Sequence, residues 1–357
     1  MDVVLERGLE PFEALRPEWD ALAARCAALH PFMLHAWLRA SLHHLGGADE
    51  LLVVAFRDEG RLVGLAPLRM ERSLALRRLT FAFRHVDYAD FLVEAGREWD
   101  VLSAFFRWVR ENLAGWNLLR LRQIPSRSPN DALVPVLAEM EGLAVRGWRL
   151  DPCPYIQLPA TLEEFLAEMP ARRWQKDHGA RRLRKLAREH GEPRLEALAG
   201  AEVTGDEIER FLDLHARSWE ARGGSAALGG DGLRRFHATV AEALASTGVC
   251  RLFWLTVGAR RVAGSYGFLM GDTFFGYMLA QDPEFAAYSV GRQVLLKVIE
   301  HGVGQGWREI DMLVGGERYK LDYTRRFRHT TEYDIARSRR WLDLMRALSA
   351  LRGRPRS

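Results

Sequence analysis

Apolar positions along this chain alternate between a helical and a strand-like period, and the order in which they do so occurs twice. Phe12, Leu15, Trp19, Leu22 and Cys26 fall three to four residues apart and predict an amphipathic helix. Residues 36–45 predict a second helix, ended by Gly46-Gly47. Two strands follow at 51–57 and 61–70, joined by the turn-forming Asp58-Glu59-Gly60. Strand-like stretches come next at 79–83 and 89–93. A helix over 99–113 is closed by Gly115, and a strand over 116–123 completes the set.

The second half repeats this order. A helix over 207–219 places Ile208, Phe211, Leu214 and Trp219 on one side, and Leu233, Phe236, Val240 and Leu244 mark another. Strands at 249–257 and 261–270 flank the turn Gly258-Ala259-Arg260. Gly271-Asp272 leads into a third strand over 273–281. A long helix then runs to Gln305, and Gly306 precedes a last strand at 308–312. Two short echoes support duplication. Residues 61–68 (RLVGLAPL) resemble 261–268 (RVAGSYGF), and Gly115-Trp116 recurs as Gly306-Trp307.

Composition narrows the function classes. The 357 residues suit two domains, and 48% hydrophobic content supports sizeable cores. Only four of the 51 basic residues are lysine, and the net charge of +4 argues weakly for nucleic acid. Cys26, Cys153 and Cys250 are odd in number and widely spaced, which suits a reducing cytosol and buried thiols rather than a disulfide framework. No apolar run approaches the roughly 18 residues of a membrane span, and the N-terminus lacks a signal-peptide pattern. The expectation is a cytoplasmic protein. The eleven histidines show no metal-ligand spacing, and no metal is expected. No nucleophile elbow or phosphate-binding Walker sequence occurs.

Between the halves, residues 171–189 form a basic, helix-prone segment with apolar points at Trp174, Leu183 and Leu186. It reads either as a solvated connector or as a surface for phosphate-rich ligands. Residues 352–357 read as a frayed tail.

The stretch from Gly271 to Lys320 carries the chemistry. Strand, glycine-bearing turn, helix and strand aim free N–H groups and a helix N-terminus at an anion, so a pyrophosphate carrier such as coenzyme A is the first ligand to test. Gln281, Ser289, Val290, Gly291 and Arg292 stand where such a group would be held. Gly276 marks a point where the strand can bulge, and Tyr277 beside it is placed to line an acyl pocket. Asp311 alternates with Ile310 and Met312, so its carboxylate faces away from them and is a candidate base. Glu317, in a glycine-flexed loop, is the alternative base. Tyr319 is a candidate proton donor and Lys320 a candidate anion holder. In the first half, Asp87, Tyr88 and Asp90 form a polar-aromatic segment suited either to recognising an acceptor or to capping a loop.

The order helix, hairpin, third strand, glycine loop, helix, strand resembles the GNAT acyltransferase core. Residues 31–37, 51–68, 86–91, the basic segment, and 289–311 followed by Gly315-Gly316-Glu317-Arg318-Tyr319-Lys320 look more specifically like the CelD/BcsL-type acetyltransferases, which are close to FemAB-like proteins. The resemblance implies an α/β fold of tandem GNAT-like modules, each a mixed, mostly antiparallel sheet flanked by helices, with a cleft between them. The expected boundaries are 1–160, a basic connector over 161–200, 201–345, and a flexible tail. It implies acetyl-CoA or another acyl-CoA as co-substrate, and a small-molecule or saccharide amine as acceptor. Lys320 matches a recurrent Tyr-Lys position of the family. Two departures stand out: Tyr288-Ser-Val-Gly-Arg-Gln293 has one glycine, and Gln293 replaces the small residue expected next. The rival readings are a FemAB-like transferase drawing on charged tRNA, and a non-catalytic binding module.

Overall fold

The computed structural model describes residues 1–72, 76–172, 175–221, 223 and 230–351. Trp174 and the 352–357 tail, both singled out from the sequence, lie outside the described residues. The chain divides into two compact units. One comprises Met1–Leu42, Gly46–Asp151 and Arg328–Ser357, the other His43–Leu45 and Pro152–Phe327. Their boundaries at 151 and 327 differ from the expected 160 and 345, because the chain returns to the first unit after Phe327 and residues 161–200 fall within the second.

In the first unit β1 (Asp2–Arg7), α1 (Leu9–Ala14), α2 (Arg16–Ala23) and α3 (His35–Leu45) precede the hairpin of β2 (Leu51–Asp58) and β3 (Arg61–Arg72). β4 (Arg77–Phe81), β5 (Leu92–Val93), α4 (Glu98–Glu111), β6 (Leu118–Pro125), α5 (Pro129–Met140) and β7 (Ala144–Gln157) follow. The sheet order is β1-β2-β3-β4-β6-β13-β7, with β5 on β3. Here β13 (Phe327–Ala336) is the returning strand, and β4–β6 is a parallel pair among antiparallel ones. β2 buries six consecutive residues, as expected of a strand covered on both faces. The hairpin turns on Glu59 and Gly60, both at positive φ, which is the primed-turn geometry.

One expected helix divides in two. Pro17 stands in the first turn of α2, where its missing N–H costs nothing, but it ends α1 at Ala14. Phe12, Trp19 and Leu22 still reach the core. Cys26 lies beyond the helix, in a bridge to Glu94.

The second unit runs through α6 (Leu162–Glu168), α7 (Ala180–His190), β8 (Pro193–Ala199), α8 (Gly205–Glu220) and α9 (Asp231–Leu244). β9 (Cys250–Val257), β10 (Arg260–Met270), β11 (Thr273–Gln281), α10 (Val290–Gly304) and β12 (Glu309–Asp311) complete it, and α11 (Arg339–Leu351) ends the described chain. The sheet order is β7-β12-β11-β10-β9-β8, with β11–β12 parallel. Each unit thus carries strand, helices, hairpin, third strand, helix and a strand parallel to the third: an α/β fold with a mixed, mostly antiparallel sheet flanked by helices. The glycine–tryptophan echo is structural. Gly115 and Gly306 both take positive φ, and each following tryptophan is buried. Trp219 differs from expectation: it is 43% exposed, with its indole N–H on His215.

Candidate active site

The second unit builds its candidate site where β11 parts from β12. The two pair only over Thr273–Glu309, Phe274–Ile310 and Phe275–Asp311. Beyond Asp311 the chain turns towards β7. The Met312 N–H bonds to the Pro154 carbonyl, and Leu313 adopts a left-handed φ of 59°. The Asp311 carboxylate holds that turn by accepting the Leu313 N–H at 2.8 Å. Residues 276–281 of β11 therefore keep β10 on one edge and have no strand on the other among the described residues.

A bulge re-aims this stretch. Gly267 of β10 faces Gly276 and Tyr266 faces Met278, leaving Tyr277 as the extra residue. A Cβ on Gly267 would lie 2.2 Å from the Phe275 carbonyl oxygen, whereas one on Gly276 would meet nothing closer than 3.7 Å. The glycine that the bulge requires is thus Gly267, and the one singled out from the sequence stands beside it. Tyr277 is half-buried among His237, Tyr266 and Phe268.

β11 ends at Gln281, and a turn over Pro283–Tyr288 leads through left-handed Ser289 into α10. The first turn of α10 is covered. The Gly291 N–H is donated to Gln281 Oε1 at 3.2 Å, and Arg182 of α7 donates to Ser289 Oγ at 2.5 Å. Val290 is fully buried in a cluster with Leu186, Phe285 and Val294. Arg292 pairs with Asp322, and its carbonyl accepts the Tyr323 hydroxyl at 3.1 Å. Gln293 donates to the Gly179 carbonyl, so the residue departing from the small-residue pattern fastens the turn before α7 to α10. Of the amides expected to be free, that of Gly291 is bonded to a side chain, and those of Arg292 and Gln293 are donated to the Ser289 carbonyl. Nothing local in the sequence signals the parts played by Arg182, Gln293 and Tyr323.

Asp311, Glu317, Tyr319 and Lys320 share one loop. Asp311 is 1% exposed. Lys320 is buried and donates to the Val314 carbonyl and to Glu317, both at 2.9 Å. The Glu317 side chain remains over half exposed, and Tyr319 packs against the core that contains Leu295 and Ile310. The loop therefore offers one buried carboxylate, one accessible carboxylate and an ammonium already held by a carbonyl and an acid.

The first-unit residues are placed differently. Tyr88 is 1% exposed, with its ring against His30 and Phe32. Asp90 is equally buried and accepts the Phe91 N–H at 2.8 Å and Asn130 Nδ2 at 2.9 Å. Burial pushes its carboxyl up to about 7. These two side chains face the interior, and Asp87 alone of the three is partly accessible. Among the described residues no cluster of His, Cys, Asp and Glu is gathered as metal ligands would be, and no helix is long and apolar enough to cross a membrane.

Residues 170–321 match the family described as acetyltransferase (GNAT) domain. No curated protein sequence matches the chain. Among solved structures it is similar to FemX, at 11% identity and a TM-score of 0.64, over 94% of this chain and 97% of that one. It is also similar to L-PGS from Bacillus licheniformis, at 11% identity and a TM-score of 0.51, over 88% and 94%. A tandem GNAT protein from the clavulanic acid biosynthesis pathway shows 14% identity and a TM-score of 0.46, over 94% and 98%.

Proposed function

We propose that this chain transfers an acyl group from an acyl-CoA to an amine, most simply as an N-acetyltransferase of the CelD/BcsL group. The observation that supports the reading is the parting of β11 from β12 beside the N-terminus of α10. An unpaired strand edge supplies N–H groups for a thioester carbonyl and for the oxyanion formed on attack. Ser289, Val290, Gly291 and Arg292 would hold the donor's pyrophosphate once the Gln281 carboxamide swings off the Gly291 amide. Asp311 or Glu317 would take the amine proton, and Tyr319 would return one to the leaving thiolate. Lys320 would steady an anionic group, and Tyr277 would line the acyl pocket. The acceptor we favour is an amino sugar or polysaccharide precursor, with Asp87 the accessible polar residue of the first-unit segment.

A melting experiment tests this. Acetyl-CoA at 100 times its Kd adds about 2.7 kcal/mol to a folded state that alone binds it, so the transition rises by several degrees. An unmoved transition at millimolar acetyl-CoA defeats the acyl-CoA reading.

One observation favours a second donor. Arg181, Arg184, Lys185 and Arg188 line the exposed face of α7, and Arg182 of the same helix donates to the Ser289 hydroxyl at the start of α10. A FemAB-like transferase fed by charged tRNA would use such a face. Reversing Arg184 and Arg188 to Glu would then reduce the salt slope of tRNA binding by about two. Acetyl-CoA affinity would stay unchanged in the same variant.

A further inference from the structure

The second unit also carries a groove that the transfer reaction does not use. It has a volume of about 380 Å³ and lies between α6, with the Met169-Pro170 turn that follows, and the segment from Tyr323 to Arg326. That size lies within the usual range for small-molecule sites. Its lining is mixed: the edges of the core side chains Ile156, Phe165, Met169 and Tyr323, each at most 5% exposed, alternate with the polar Gln157 and Thr324. The Tyr323 hydroxyl is turned away onto the Arg292 carbonyl.

The rim is charged and unequal. Arg325 and Arg326 stand on one wall, and Glu168, on the α6 wall, is the one carboxylate lining the groove. Arg325 folds back onto the carbonyls of Leu321 and Thr324. Arg326 has no side-chain partner among the described residues, and it is exposed at the rim of the groove. Guanidinium forks match the paired oxygens of a carboxylate or phosphate. A trough of mixed lining that ends at Arg326, with Arg325 beside it, suits a molecule with a hydrocarbon body and an anionic head.

We infer that this groove binds an anionic amphiphile, its chain against Ile156, Phe165, Met169 and Tyr323 and its head on Arg325 and Arg326. The site stands independently of the acyl-donor reading, and its test requires no turnover. Calorimetric titration of the full chain with decanoate, monodecyl phosphate, decan-1-ol and butyrate, each below its aggregation concentration, reads it directly. Saturable one-to-one binding of at least one ten-carbon anion is expected, with decan-1-ol and butyrate each at least tenfold weaker. Preference between decanoate and the phosphate tells which head the site takes. Arg326→Glu, a surface change, lowers that affinity at least tenfold, and Glu168→Lys leaves it equal or tighter. The inference falls if neither ten-carbon anion saturates, if the alcohol or butyrate binds as well as the anions, or if Arg326→Glu leaves affinity intact.

Discussion

The side-chain carbonyl of Gln281 accepts the backbone N–H of Gly291 at 3.2 Å, closing the end of β11 onto the first turn of α10. Any phosphate seeking that amide competes with a neutral, flexible acceptor whose bond has a net value of about 0.5–1.5 kcal/mol. Gln281→Ala is therefore expected to tighten acetyl-CoA binding by up to about tenfold. Gln281→Glu places negative charge at the same spot and should weaken it by about tenfold or more. Calorimetric titration of the three proteins reads the order, and equal affinities throughout would remove this turn from donor binding.

The bulge at Tyr277 depends on a glycine in the neighbouring strand. A methyl on Gly267 would strike the Phe275 carbonyl at 2.2 Å and the Phe274 ring at 2.6 Å. Gly267→Ala must part β10 from β11, at a cost of about 1–3 kcal/mol. Gly276→Ala meets its nearest neighbours at 3.7 and 3.8 Å and should stay within about 0.5 kcal/mol of the parent. Urea denaturation of both variants checks the contrast. A larger loss for Gly276→Ala would place the strain on the other strand.

Asp311 combines a structural bond with a proposed chemical one. An asparagine there keeps an oxygen for the Leu313 N–H and loses the proton-accepting charge. Asp311→Asn should hold its melting temperature while kcat falls by about 10²-fold or more, the usual share of a general base. Wild-type turnover in this variant would pass the role to Glu317, the accessible carboxylate of the same loop.

The parts of this fold legible in the sequence are those whose signal is local. Both hairpins announce themselves through glycines at positive φ between apolar runs, and α4 and α10 through their periodicity. β13 is illegible for the opposite reason. Its buried Thr330, Thr331 and Glu332 are polar, and Glu332 becomes tolerable inside only because Arg120 and Arg122 of β6 reach it from over 200 residues away. The candidate site divides in the same way. Strand, turn and helix could be read directly, whereas the cover over α10 comes from Arg182 and from the Gln293–Gly179 bond, more than 100 residues apart in sequence. Asp90 and Tyr88 read in sequence either as recognition residues or as part of a capped loop. Only the packing of His30, Phe32 and Asn130 around them reveals interior duty.

Asp90 gives the first unit a pH dependence of definite sign. Burial holds its native pKa near 7, above the ordinary value of 3.8, so between those values the folded chain keeps a proton that the unfolded chain has released. Its contribution to stability is complete below about pH 4, declines as the pH rises, and is lost by about pH 7. At about 1.4 kcal/mol per unit the whole swing is on the order of 4 kcal/mol. Asp90→Asn keeps an oxygen for the Phe91 N–H and cannot ionise. The difference in unfolding free energy between pH 5 and pH 8, measured in urea, should therefore shrink in the variant because its stability at pH 8 no longer falls. A pH difference identical to that of the parent would mean that Asp90 is not the group being titrated.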